Sequence, residues 1–304
     1  MTIGLLGKLL DADDASSVDA AATVLAALEL VPAHPRDLTD VLRTRSTGVR
    51  RVSERMNEFI RYIDQRLDER RVDFWLSTAR KLTEQDSRLS LHMVTDHNFP
   101  RNLRESYDCP PLIWVRGELS PEDNSSISII GSRRASRDSL DFSYEAASAV
   151  AKSGFCVISG LARGIDTAAH RAAIDLSART VGVLGFGIGY PLYPPENAVL
   201  AEKILDNGVL LTYFPPSSPP TPSSFVARNS VISALSKVSL LVDGEEKSGS
   251  RTEVEFALQQ GRRVLFWRGA AEKHSWIRLF AMQENVGIVE SSDDVVDELR
   301  RAYV

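Results

Sequence analysis

The chain has 304 residues, 43% hydrophobic and 25% charged, the balance of a globular protein with room for one large core and a smaller domain. Its formal net charge of −5 excludes coating of nucleic acid through bulk positive charge and leaves only a local basic groove for such a partner. No apolar run approaches the ~20 residues that span a bilayer, and acidic residues follow the short apolar start, against the plan of a signal peptide, so a cytoplasmic location without a membrane partner is expected.

Val18 to Leu30 is rich in Ala and Leu and reads as a helix. Val31-Pro32-Ala33-His34-Pro35 breaks it, because proline cannot continue a helix. From Asp37 to Arg80 the apolar residues Val49, Val52, Met56, Phe59, Ile60, Ile63 and Leu67 recur at helical spacing among many arginines. Residues 1–85 are therefore expected to form a small helical N-terminal domain, with the charge run Arg66–Arg71 as a solvated helix face. Residues 86–120 place proline and turn residues around one short apolar strand near Leu112–Val115, the pattern of a connector packed on the next domain.

Residues 121–304 form the main domain of this reading. Short apolar, β-branched runs at Ile127–Ile130, Phe155–Ile158, Thr180–Leu184, Val209–Tyr213, Val238–Val242 and Arg263–Trp267 alternate with helical segments near 136–153, 166–177, 196–207, 227–236 and 251–260. Strands that are apolar throughout and alternate with helices predict an α/β fold, a parallel Rossmann-like sheet with helices on both faces. Cys109 and Cys156 have no metal-ligand spacing and read as reduced structural thiols; no metal and no cofactor is expected.

Ligands of open parallel sheets bind beyond the carboxyl ends of the strands. Gly131-Ser132-Arg133-Arg134 follows the first strand, Ser159-Gly160-Leu161-Ala162-Arg163-Gly164-Ile165-Asp166 the second, Gly185-Phe186-Gly187-Ile188-Gly189 the third, and Asp243 to Ser250 the fifth. Glycine lets backbone approach a ligand, serine adds donors, Arg133, Arg163 and Lys247 add charge, and each following helix aims its free N–H groups at the same edge. A row of such loops suits a phosphate chain. Each element also has a plain structural reading. Gly131-Ser132-Arg133 serves equally as a tight turn, the glycines at 185, 187 and 189 lack dinucleotide spacing, and Lys247 precedes its glycine and so is not a Walker A lysine. Asp166 and His170, four apart, read as a helix-capping pair more readily than as an acid/base pair, and no G-x-S-x-G elbow supports a triad through Ser159. Phe186, Tyr190, Tyr193, Phe214 and Phe225 fall in or beside these loops, where aromatics stack bases or pin the loops down.

Ile129-Ile130-Gly131-Ser132-Arg133, the run from Ile158 to His170, Tyr193-Pro194-Pro195-Glu196-Asn197, Phe225-Val226-Ala227-Arg228-Asn229 and Lys247-Ser248-Gly249-Ser250 resemble the DNA-processing protein A (DprA/Smf) family over roughly residues 90–270. That resemblance implies an extended Rossmann-like fold, a homodimer, binding of single-stranded DNA, and delivery of that strand to the recombinase RecA in natural transformation, without catalytic activity. It further implies that Arg133, the Ser159–Asp166 loop, Arg228, Asn229 and the Lys247–Ser250 loop line a DNA-phosphate pocket. Gly131, Ser132, Gly160, Arg163, Gly164, His170, Gly185 and Gly187 complete the candidate set. The chain departs from the family pattern at Ser230, where a second arginine is usual, at Thr212-Tyr213, and at Arg268-Gly269. A competing reading comes from nucleotide hydrolases resembling the lysine-decarboxylase-like enzymes, and from nucleotide sensors on the same fold. Ser248 to Glu255 is a distant echo of their signature, with Glu255 and Arg133 as candidate ribose and phosphate contacts.

Overall fold

The computed structural model describes residues 18–31, 35–46 and 53–304. Val49 and Val52 of the expected helical pattern, and the break at Pro32–His34, lie outside these residues. The chain divides into two compact units, Met1–Phe99 with Tyr107–Val115, and Pro100–Ser106 with Arg116–Val304.

The first unit carries α1 (Val18–Leu30), α2 (Pro35–Ser46), α3 (Glu54–Asp64), α4 (Glu69–Gln85) and β1 (Leu89–Met93). The alanine run of α1 is buried from Ala20 to Ala27, small side chains letting α4 pack closely, while Glu29–Arg71 and Asp19–Arg80 pairs fasten the two helices at the surface. Ser53 caps α3 through the Met56 N–H and Asp68 caps α4 through the Arg70 N–H. The helical character expected before residue 85 is present. The connector proves to hold two strands: β1, and β2 (Leu112–Gly117), which neighbours it and is joined to it just past its end by Val94 N–H donating to the Pro111 carbonyl at 2.9 Å.

The second unit contains the short helix α5 (Arg101–Glu105), then β3 (Ser126–Gly131), α6 (Arg137–Lys152), β4 (Cys156–Ser159), α7 (Ile165–Asp175), β5 (Thr180–Val183), α8 (Ala198–Ile204), β6 (Val209–Thr212), α9 (Pro222–Ala234), β7 (Val238–Asp243), α10 (Gly249–Gln259) and β8 (Arg263–Trp267). It closes with α11 (Arg268–Lys273), α12 (Ser275–Phe280), β9 (Val286–Val289) and α13 (Ser292–Tyr303). The strands stand in the order β6-β5-β4-β3-β7-β8-β9, every neighbouring pair parallel. All six expected strands form, and the α/β class is as expected. Beyond them stand β9 and α13, the latter announced by the Ser291 to Asp294 capping box. The helix expected from 227 starts earlier, at Pro222, because Thr221 caps it and proline suits the first helical position.

Alternate strand residues face two layers. Ile127 and Ile129 of β3 pack with Ala146 and Val150 of α6, Ala169 of α7, and Val295 and Leu299 of α13 in one buried cluster. Ser128, between them, donates to the Ile232 carbonyl at 2.7 Å and contacts Ser236 Oγ, satisfying the end of α9 on the other face. Tyr303 of α13 ties the sheet's start together: its hydroxyl donates to the Ser126 carbonyl and accepts from the N–H groups of Ser126 and Lys237. From β3 the chain steps outward through β4, β5 and β6, then returns to the opposite side of β3 with β7. Connections therefore run in opposite directions from β3 and β7, which makes their carboxyl ends the crevice of this topology. The ladder slips by one residue there, so that Gly131 stands beside Asp243.

Candidate functional site

A cleft of about 670 Å³ opens at this crevice. Its walls come from the loops after β3 and β7, the start of α7, and α9 with the proline-rich segment before it. Gly131, Ser132, Arg133 and Arg134 form one rim, and Ser132 Oγ accepts the Arg134 N–H at 3.1 Å. Arg133 is exposed, with its guanidinium carbon 5.0 Å from the centroid of Phe225, and no acidic side chain pairs with it among the described residues. The ring of Phe225 is flanked in turn by Tyr193 at 5.6 Å between centroids.

Opposite stands the N-terminus of α10. Ser248 holds the cap position but turns its hydroxyl back to the Glu245 carbonyl at 2.6 Å, so no side chain caps the helix where Gly249 and Ser250 line the cleft. Uncapped N–H groups at the positive end of a helix dipole favour an anion.

Arg228, only 3% exposed, forms the floor. Its Nη1 donates to the carbonyls of Gly160 and Val183, and its Nε to Asn229 Oδ1 at 3.2 Å. The amide of Asn229 donates to the Gly249 carbonyl at 3.0 Å, which links the floor to the start of α10. Two carboxyls face this arginine. Asp166 Oδ2 accepts from the N–H groups of Gly160 and Ala162, at 3.1 and 3.3 Å; burial raises its pKa, and the Arg228 charge opposes that rise. Glu253, 4% exposed, lines the cleft with Oε1 unpartnered. Burial, seconded by the nearby Asp166, pushes its carboxyl well above the ordinary 4.5. Asp166, with two backbone donors, is the better placed of the two carboxyls to balance Arg228, while burial favours the protonated form of Glu253.

Nine of the candidate residues thus share one cleft: Gly131, Ser132 and Arg133; Asp166; Arg228 and Asn229; Ser248, Gly249 and Ser250. The others lie elsewhere. Ser159 is fully buried and donates to the Ile129 carbonyl at 2.6 Å. His170 is equally buried, its Nδ1 2.8 Å from Thr180 Oγ1, and burial first, then the Arg228 charge, lowers its pKa to about 3; it is a neutral core residue. Gly160 lies under the Arg228 guanidinium. Gly164, at φ 76°, starts α7 where a side chain would collide with the Ser132 carbonyl. The Gly185 carbonyl accepts from Ser224 Oγ at 2.6 Å, and the Gly187 N–H donates to the Ser218 carbonyl at 2.9 Å, so this glycine run seats the proline-rich loop and the start of α9. Lys247 is exposed and stands outside the cleft lining. Arg163, a candidate cation of the site, pairs with Glu196 at the surface and stands outside the cleft lining, while Asp166 faces inward to backbone donors.

The Tyr-Pro-Pro-Glu-Asn string works through Asn197. Its buried amide donates to the carbonyls of Leu161 and Ala162 and to Thr167 Oγ1, holding the loop in which Leu161 sits at φ 56°. Of the aromatics, Phe186 is buried, Tyr190 and Tyr193 are exposed, and Tyr193 and Phe225 line the cleft. Sequence reasoning missed Glu253. It chose Glu255, which forms an i,i+4 pair with Arg251 on the outside of α10. The signal was the helix phase: Glu253 lies beside buried Val254 and four residues before buried Ala257, whereas Glu255 projects from another face.

The family profile of DNA recombination-mediator protein A matches residues 90–300. The chain belongs to this family. Its members include the DNA processing protein DprA of Bacillus subtilis, 30% identical over 208 residues that cover 68% of this chain and 70% of that protein. Protein Smf of Synechocystis is 34% identical over 173 residues, 56% of this chain and 43% of that longer one. The X-ray structure of DNA processing protein A from Streptococcus pneumoniae superposes with a TM-score of 0.66 at 25% identity, over 98% of this chain and 99% of that one. The fold is shared as well by DNA processing protein A of Helicobacter pylori, whose structure was described with its single-stranded DNA binding mode; there the TM-score is 0.59 at 23% identity, over 70% of this chain and 96% of that one.

Proposed function

We propose that this chain binds single-stranded DNA in the cleft between the loops after β3 and β7 and acts as a recombination mediator that hands the strand to a recombinase of the RecA type. The observation that carries this reading is the convergence of Arg133, free of any acidic partner among the described residues, with the uncapped start of α10 and the buried Arg228 around one cleft. In a chain of net charge −5 such convergence is the local attraction that a polyanion requires. Arg133 backed by Phe225 offers a guanidinium plane on which an unpaired base stacks, a contact open to a single strand and closed to a duplex. Family membership and the single-strand binding of the Helicobacter relative agree with this reading. Protection of incoming strands in natural transformation, and action as a homodimer, extend it by resemblance.

Fluorescence anisotropy with a labelled oligothymidine, competed separately by duplex DNA and by mononucleotides, tests the proposal. Tight binding that resists both competitors is the expected result. Turnover of a mononucleotide without binding of the oligomer would assign the cleft to a nucleotide hydrolase instead.

A further inference from the structure

Two glutamates shortly precede α10, and only one of them faces the cleft. Glu245 lines it; Glu246, the next residue, does not. Glu246 is turned instead to Arg251, whose Nη1 donates to its Oε1 at 3.0 Å. The start of α10 has no side-chain cap, and uncapped N–H groups at the positive end of a helix attract a carboxylate as readily as a phosphate. Glu246 stands two residues before Ser248, the cap position, so the chain carries a competitor for its own anion site. We infer that Arg251 is a positioning residue of the strand site: seated on the rings of α12, it holds the Glu246 carboxylate away from the first turn of α10 and leaves that turn open to a phosphate. This rests on the single-strand reading above and adds to it a residue that acts without touching DNA.

The seat of Arg251 is built from behind the rim. Its guanidinium carbon lies 5.8 Å from the ring centroid of Trp276 and 5.7 Å from that of Phe280, both on α12. Trp276 is itself fixed. It is 4% exposed, stands edge-on to Phe266 of β8 at 5.9 Å and to Phe280 at 5.6 Å, and donates its indole N–H to the Gly244 carbonyl at 3.1 Å. A planar cation against two aromatic rings keeps its direction better than a free side chain does. Glu255, one turn further along α10, accepts from Arg251 Nε at 3.1 Å and fixes the other side of the fork. Arg251 thus faces two carboxylates with one positive charge, and it stands outside the cleft lining. A group of that net sign does not draw a phosphate. Its effect on the strand is to remove an acid from the strand's path. Without the guanidinium, Glu246 bears an unmatched charge beside the uncapped turn, where it repels a phosphate or takes its place.

The test is a double-mutant cycle read by anisotropy of labelled oligothymidine on wild type, Arg251→Met, Glu246→Gln and the double variant. Methionine keeps an unbranched stem against the rings and removes the charge. Arg251→Met should weaken binding about threefold, the scale of one exposed ion pair, and by more at low salt. Glu246→Gln should leave the affinity of the otherwise wild-type protein nearly unchanged, because that carboxylate is already held. In the Arg251→Met protein the same change should restore wild-type affinity. A distorted α10 would not be cured by neutralising a second side chain, so this rescue separates positioning from a merely structural role. Arg251→Leu stands in if the methionine variant does not fold. Equal effects of Glu246→Gln in both backgrounds, or a double variant as weak as Arg251→Met, would overturn the inference, and the second result would put Arg251 itself on the phosphate. A wild type that does not bind oligothymidine overturns the single-strand reading and this inference with it; a wild type that binds but shows no such coupling overturns the inference alone.

Discussion

Arg228 occupies the space that Gly160 leaves empty: a Cβ on Gly160 would stand 2.5 Å from the guanidinium carbon of Arg228, whose Nη1 donates to the Gly160 carbonyl. The glycine after β4 is therefore a seat for a cation from α9, and that cation braces the loop whose Gly160 and Ala162 N–H groups donate to Asp166. Gly160→Ala should displace the buried arginine and cost on the order of 1–3 kcal/mol of stability, as overpacking does. Urea denaturation measures it, and an unchanged midpoint would mean that Arg228 has another place to go.

Arg133 and Arg163 separate binding from scaffold. Arg133→Ala should weaken binding of oligothymidine and lower the slope of log affinity against log salt by about one, with little change in melting temperature, because the side chain is exposed and has no acidic partner among the described residues. Arg163→Ala should leave the salt slope as it is and alter stability only slightly, since its pair with Glu196 is solvent-exposed. A reduced slope in the Arg163 variant would bring that residue into the DNA path.

His170 gives the fold a predictable sensitivity to acid. Its folded pKa, about 3, lies below the ordinary 6.5, because burial first and Arg228 second disfavour the imidazolium. The stability from keeping it neutral is complete above pH 6.5 and is lost as pH falls toward 3, since only the unfolded chain takes up the proton. Between pH 7 and pH 5 wild type should lose about 2 kcal/mol relative to His170→Gln. Asp166 and Glu253, with raised values, act with the opposite sign, but they remain in both proteins and cancel in the comparison. Urea titrations of the two proteins at both pH values check this; parallel pH dependences would show that the imidazole becomes charged in place.

Tyr303→Phe should destabilise the second unit by about 1–3 kcal/mol, because it strips three backbone groups at the starts of β3 and β7 of one hydroxyl partner. Amide exchange at Ser126 and Lys237 is the local readout. Unaltered protection there would assign the anchoring to the apolar face of α13 instead.

Six strands of the second unit were legible because each is a short, mostly apolar run alternating with a helical segment, a pattern that a sheet covered on two sides demands. The site was legible at its rim, where Gly131 to Arg133 and Ser248 to Ser250 follow strands directly. Its floor was legible only in part: Arg228 came with the family motif, but Glu253 sits in a helix where the phase of burial matters more than the motif, and Glu255 carried the better spacing but the wrong face. Gly185 and Gly187 show the converse limit. A glycine in a loop marks close approach without saying what approaches, and here it is the proline-rich loop and the start of α9.

The cleft draws on segments that run from Ile130 to Glu253, and its two rims follow β3 and β7, neighbours in the sheet that are far apart in sequence. No fragment shorter than the span from Gly131 to Ser250 carries both rims. A chain in which β7 has yet to slide in beside β3 offers a passing strand two half-sites and no grip, and such distant pairings form slowly. If the cleft binds a strand as proposed, that strand can hold only molecules in which β7 has joined β3, and by holding them it draws the population toward that state.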